Sequence, residues 1–243
     1  MHRVMIGLAL LAATAPLHAE QVVDDFESGN NPNGWAWLSG SPSNVVHNGV
    51  IQTSGGNPGA WFDSTSPYFA GHPSFSAFPL AGTPLRAALD SGTLTSASVD
   101  IQRLDTTKVP NCHPVYDLPS TYTLELIDLH TVGSSPPTPI EAHLTVGPDS
   151  PGGTFYPWTS VSFLIPSDAP DLPPGWELNV PPDITYTWAD LMHNIDAISF
   201  FAIDPAEITF DSCWQLGADN VVITYGHGDK IFADGYDGAG RAH

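Results

Sequence analysis

TSASVDIQRL, residues 95–104, sets the architecture. In an extended chain Ala97, Val99 and Ile101 fall on one face and Ser98, Asp100 and Gln102 on the other, because successive strand side chains alternate. The same period of two recurs through the chain. TYTLELIDL (121–129) aligns Tyr122, Leu124 and Leu126, and WTSVSFLI (158–165) aligns Val161, Phe163 and Ile165. AISFFAI (197–203) aligns Ile198, Phe200 and Ala202, and DNVVITY (219–225) aligns Val221, Ile223 and Tyr225. Alternation rich in β-branched and aromatic residues marks half-buried strands. The expected fold is all-β, an antiparallel β-sandwich.

One segment carries a different period. In TYTWADLMHNIDAISF (185–200) Trp188, Leu191, Met192 and Ile195 recur at helical spacing, with Thr187 placed as N-cap. This predicts one short helix laid on the sandwich ahead of the Ala197 strand. His193 lies on that helix and reads as a surface or packing residue. Between strands, the proline-rich Ser134–Pro139 and Pro166–Asp183 segments read as loops, since proline cannot donate to a ladder.

Outward from the strands, the organisation is simple. Residues 1–19 combine Arg3, an apolar run and a small-residue site at Ala19, the pattern of a secretory signal peptide. Residues 20–226 are expected to form one sandwich domain and 227–243 a C-terminal tail. The chain carries 6 Lys plus Arg against 26 Asp plus Glu, a net charge of −20. Such a field repels phosphate backbones, so nucleic acid is not an expected partner, and no later stretch is apolar enough to span a membrane. Cys112 and Cys213, in an oxidising destination, are expected to pair.

Sequence signals for enzymatic chemistry are sparse. GxSxG, P-loop, GxGxxG and HExxH patterns are absent, and the histidines show no metal-ligand spacing. Glu125 and Asp128, in ELID, are the nearest approach to a carboxylate pair for glycoside hydrolysis. Aromatics offer a better lead. Trp61 in GGNPGAWFD and Trp176 in LPPGWEL stand in turn-rich settings, where an indole face can stack on a sugar ring. Those two are the candidate ligand-binding residues.

DDFESG (24–29) with NGWAW (33–37), SGGNPGAWF (54–62), TWADLMHNIDAISF (187–200) and GADNVVITY (217–225) together resemble the jelly-roll domains of exported bacterial proteins. These are similar to laminin-G-like and carbohydrate-binding-module sandwiches. The resemblance implies first and last strands side by side, with a structural calcium where their acids meet. Carried onto this chain, that implicates Asp25, Glu27 and Asp219, with Asp24 and Asn220 in reserve. The tail, GDKIFADGYDGAGRAH, resembles an IFADGF-type ending of exported bacterial proteins, with Tyr236 in place of Phe.

The functional expectation is a secreted, non-catalytic sandwich, extracellular, periplasmic or on the cell surface, that binds a polysaccharide or cell-surface glycan. A structural or surface-associated protein without a small ligand is the alternative, and a glycoside hydrolase or polysaccharide lyase the third.

Overall fold

The computed structural model describes residues 19–39, 45–47, 49–64, 74–104, 121–129, 138–147, 156–202 and 215–226. The signal segment through His18, Cys112, Cys213 and the tail from His227 lie outside these residues, and so does their expected chemistry.

Among the described residues, thirteen strands form two antiparallel sheets. In one, β10 (Tyr156–Leu164), β7 (Leu94–Arg103), β13 (Leu216–Tyr225), β5 (Gly59–Asp63) and β4 (Val50–Gly56) run in that order, and β1 (Glu20–Asp24) also pairs with β13. The second orders β11 (Trp176–Asn179), β9 (Ile140–Val146), β8 (Tyr122–Asp128), β12 (Ala197–Phe201), β6 (Ser74–Ala77), β2 (Trp35–Ser39) and β3 (Val45–His47). The first strand therefore lies against the last, with Val22 opposite Ile223 and Asp24 opposite Val221.

Between the sheets lies one apolar core, built from the faces that the period of two assigns inward. Ala97, Val99, Ile101, Leu124, Leu126, Val161, Phe163, Ile198, Phe200, Val221 and Ile223 all belong to it. Its centre is aromatic. Phe75 stacks on Trp35 at 4.8 Å and meets Phe62 at 5.5 Å and Trp37 at 5.0 Å. Each such pair adds about 0.5–1.5 kcal/mol beyond the area it buries.

Two helices close the sandwich where one was expected. α2 (Trp188–His193) has the predicted Thr187 cap, and Asp190 completes a reciprocal capping box. α1 (Pro84–Asp90) starts from Thr83 with proline in its first turn, a start signal present in TPLRAALD. Pro166–Asp183 also departs from expectation. It supplies β11, which pairs with β9 from Trp176 to Asn179. The strand forms because the prolines bracket it without entering it and because it lies at a sheet edge, where only one ladder is needed.

Candidate functional site

The central strand β13 changes partner halfway along. Gly217 and Ala218 pair with Asp63 and Phe62 of β5, whereas residues 221–225 pair with β1. A bulge lies between Asp219 and Val222, and Asn220 within it has a left-handed backbone, φ 47°. Asparagine tolerates that conformation better than most residues. The bulge thereby presents Asp219 and Asn220 where the β4–β5 turn and the chain leaving β1 come together.

A dense polar network fills this junction. Asp219 accepts the backbone N–H of Asn57 at 2.7 Å and of Asn220 at 2.8 Å. The Asn220 amide donates to Asp100 at 2.8 Å and to the Asn57 carbonyl. Asn57 donates to Asp100 at 3.2 Å, and the Ser160 hydroxyl donates to the other Asp100 oxygen. From the β1 side, Glu27 accepts the Ala60 N–H at 2.9 Å. Glycine makes room for both acids. A Cβ on Gly59 would stand 1.9 Å from Glu27 Oε1, and one on Gly56 would stand 2.7 Å from Asp219 Oδ2.

Burial pushes the Asp219 carboxyl up to about 6 despite its two backbone donors, and the charges of Asp100 and Glu27 push the same way. The junction is thus a set of hard oxygen donors carrying like charge. Of the ion ligands nominated from sequence, Glu27, Asp219 and Asn220 meet here. Asp24 and Asp25 do not. Asp24 is buried on the core side, where one oxygen accepts from Asn33 at 2.8 Å and from the Trp35 indole at 2.7 Å. Asp25 accepts the Glu27 N–H at 3.1 Å and so shapes the turn. Phe26 between them takes φ 55°, which sends its ring into the core beside Phe62, 5.5 Å away.

The nominated tryptophans separate in the same way. Trp176 lies in the core against Trp188, ring centroids 4.9 Å apart, and is 6% exposed. Trp61 stands on the outer face of the six-stranded sheet, crossing Gly217, whose added Cβ would meet its ring at 2.7 Å. Its indole donates to Ser54 O at 3.0 Å, and the neighbouring Trp158 indole donates to Gly55 O at 3.1 Å. The two rings meet edge to face at 5.8 Å. Trp61 is 7% exposed and Trp158 is half-buried, so Trp158 is the ring that solvent reaches.

On the other sheet the strand registers assemble a second group. Glu125 of β8 and Glu177 of β11 both lie opposite His143 of β9. Glu141 lies two residues along β9 on the same face. His143 Nε2 stands 2.7 Å from Glu125 and 3.9 Å from Glu141, and the three ligand atoms lie within 4.8 Å of one another. The ELID pairing does not form, because Glu125 and Asp128 are an odd number of residues apart on one strand. They occupy opposite faces, and Asp128 accepts from the Tyr186 hydroxyl instead. A separate cleft of about 470 Å³ opens beside the turn after β1, lined by Asn30, Asn31, Trp35, Ile51 and Phe62 among others, and no nominated residue lines it.

Sequence reasoning passed over Asp100, Asn57, Glu141 and His143. Alternation placed Asp100 on the outer face, and the signal stopped there, since the partner strands are fixed by pairings far apart in the chain. No protein-family model matches this chain, and no curated protein is similar to it. Among solved structures, a family 11 carbohydrate-binding module from Clostridium thermocellum, in complex with a beta-1,3-1,4-mixed-linked tetrasaccharide, is similar at a TM-score of 0.45 with 16% identity. The alignment covers 86% of this chain and 96% of that one. The two-sheet architecture rests on the strand pairings described above.

Proposed function

We propose that this chain is a secreted, non-catalytic glycan-binding sandwich whose binding face is the outer surface of the six-stranded sheet, with calcium at the β1–β13 junction. One observation carries the reading: the Trp61–Trp158 pair stands on the same side of the sheet as the solvent-reached amides of Asn57 and Asn220, which the buried Asp100 carboxylate holds in place. A sugar ring presents an apolar face and a rim of hydroxyls, and this surface offers an indole for the first and planar hydrogen-bonding groups for the second.

Calcium suits the junction's donor set. Hard oxygens are its ligands, backbone carbonyls among them, and like charges without a compensating cation are relieved by a divalent ion. Glu27 and Asp219 are the side chains that would hold it. Asp100 is taken up by Ser160, Asn57 and Asn220. Bound there, the ion would tie the chain after β1 and the β4–β5 turn to the middle of β13. Its role is structural.

Glycoside hydrolysis ranks behind this reading. A retaining pair needs about 5 Å between carboxyl groups with the scissile oxygen between them. The Glu125 and Glu141 oxygens lie within that range, but the His143 imidazole occupies the space beside them.

Retention on a panel of insoluble and immobilised polysaccharides, with calcium and with chelator, tests the proposal. Wild type should be retained on at least one glycan, and Trp158→Ala should lose retention with its melting temperature nearly unchanged. Failure of the folded, calcium-loaded protein to bind anywhere on the panel would favour a structural or surface-associated role.

A further inference from the structure

We propose that Glu125, Glu141 and His143 form a binding site for a divalent transition ion of the zinc class on the outer face of the seven-stranded sheet. This site is separate from the calcium junction and from the tryptophan pair, and its argument rests on the other sheet.

The backbone itself brings the ligands together. Glu125, His143 and Glu177 occupy one row across three adjacent antiparallel strands, and Glu141 shares the face two residues along. Directly opposed residues hold their Cβ atoms about 4.5–5.5 Å apart, so these side chains converge without a loop to order. Tetrahedral coordination at about 2.1 Å spaces ligand atoms about 3.4 Å apart. The Nε2 separations of 2.7 Å and 3.9 Å straddle that value, and the three ligand atoms lie within 4.8 Å of one another, so rotamer adjustments at the two carboxylates complete the fit.

Charge favours an ion over a simple pair. Glu125 and Glu141 both face the single Nε2 of His143 and Glu177 lies opposite it on the next strand, so three carboxylates surround one imidazole. The Glu125 and His143 side chains are only 11% and 17% exposed. Water therefore compensates the Glu125 charge poorly. A divalent ion replaces the shared proton, neutralises Glu125 and Glu141 together, and leaves Glu177 or water for a fourth position. The imidazole selects the metal. Nitrogen ligation suits zinc, copper or nickel, whereas calcium takes oxygen alone.

The test titrates the full chain with zinc chloride in excess calcium, followed by calorimetry and melting. One zinc per chain should bind and raise the melting temperature. His143→Ala and Glu125→Gln should each weaken binding at least about tenfold. Trp158→Ala should bind zinc like wild type, so the outcome stands or falls apart from glycan retention. Should the substitutions unfold the protein, the wild type still answers. Copper with ascorbate should oxidise His143 ahead of the exposed His193, as mapped by peptide mass spectrometry. Zinc binding that is absent, or equal in folded wild type and both variants, or oxidation that favours His193, would overturn the proposal.

Discussion

Replacing Asp219 by asparagine separates the charge of the β13 junction from its shape. The carboxyl titrates near 6, against an ordinary 3.8, because the fold buries it beside Asp100 and Glu27. A raised carboxyl means that the folded form binds the proton more tightly than the unfolded one. The penalty is therefore full above pH 6 and disappears as pH falls toward 4. The difference corresponds to about 3 kcal/mol at most, and the effective dielectric of about 20 that holds even at buried protein sites reduces it to about 1–2 kcal/mol.

In calcium-free buffer, then, wild type should gain about 1–4 °C in melting temperature between pH 8 and pH 5, where about half of the penalty is relieved, at about 2–4 °C per kcal/mol for a domain of this size. His143, held protonated by Glu125, acts in the same direction, since its contribution is present at low pH and lost as pH rises. It is common to both proteins and cancels in their difference. Asp219→Asn removes the charge at the cost of one backbone hydrogen bond, about 1 kcal/mol. Its metal-free stability at pH 8 should accordingly stay within about 1 kcal/mol of wild type, with a flatter pH profile. Calcium at one hundred times its dissociation constant adds about 2.7 kcal/mol to wild type, or about 5–10 °C, and should add almost nothing to the variant. Scanning calorimetry at pH 5 and pH 8, with calcium and with chelator, reads all four quantities. An unchanged pH profile together with an unchanged calcium gain in the variant would refute the reasoning.

Gly59→Ala should lower stability by at least about 2 kcal/mol in urea, because its Cβ meets Glu27 Oε1 at 1.9 Å from a backbone at φ 86°; it should also abolish the calcium gain, and a neutral result would show that Glu27 is free to move. Asp24→Ala leaves the Asn33 amide and the buried Trp35 indole without their acceptor, so a loss of about 3 kcal/mol and a lower urea midpoint are expected with the calcium response retained. Loss of that calcium response in Asp24→Ala would return Asp24 to the set of ion ligands.

What the sequence determined by itself is the inside and outside of each strand. Side-chain direction in a strand depends on parity alone, so Ala97, Val99 and Ile101, or Leu124 and Leu126, could be turned inward without knowing any partner. The α2 start at Thr187 was legible for a similar reason, since a cap is a contact between residues three apart. Only the tertiary structure decided which outward groups meet. Asp219 receives Asn57 from 162 positions away, and Trp61 reaches Trp158 across the same sheet. His143 finds Glu125 and Glu177 through two separate strand registers. The resemblance put the acids around the first strand forward as a group beside Asp219, and it could not rank them. Asp24, Asp25 and Glu27 are neighbours in the chain, and a single left-handed residue, Phe26, sends them to different places. Pairing across long separations depends on strand order and register, which the alternation of one strand does not encode.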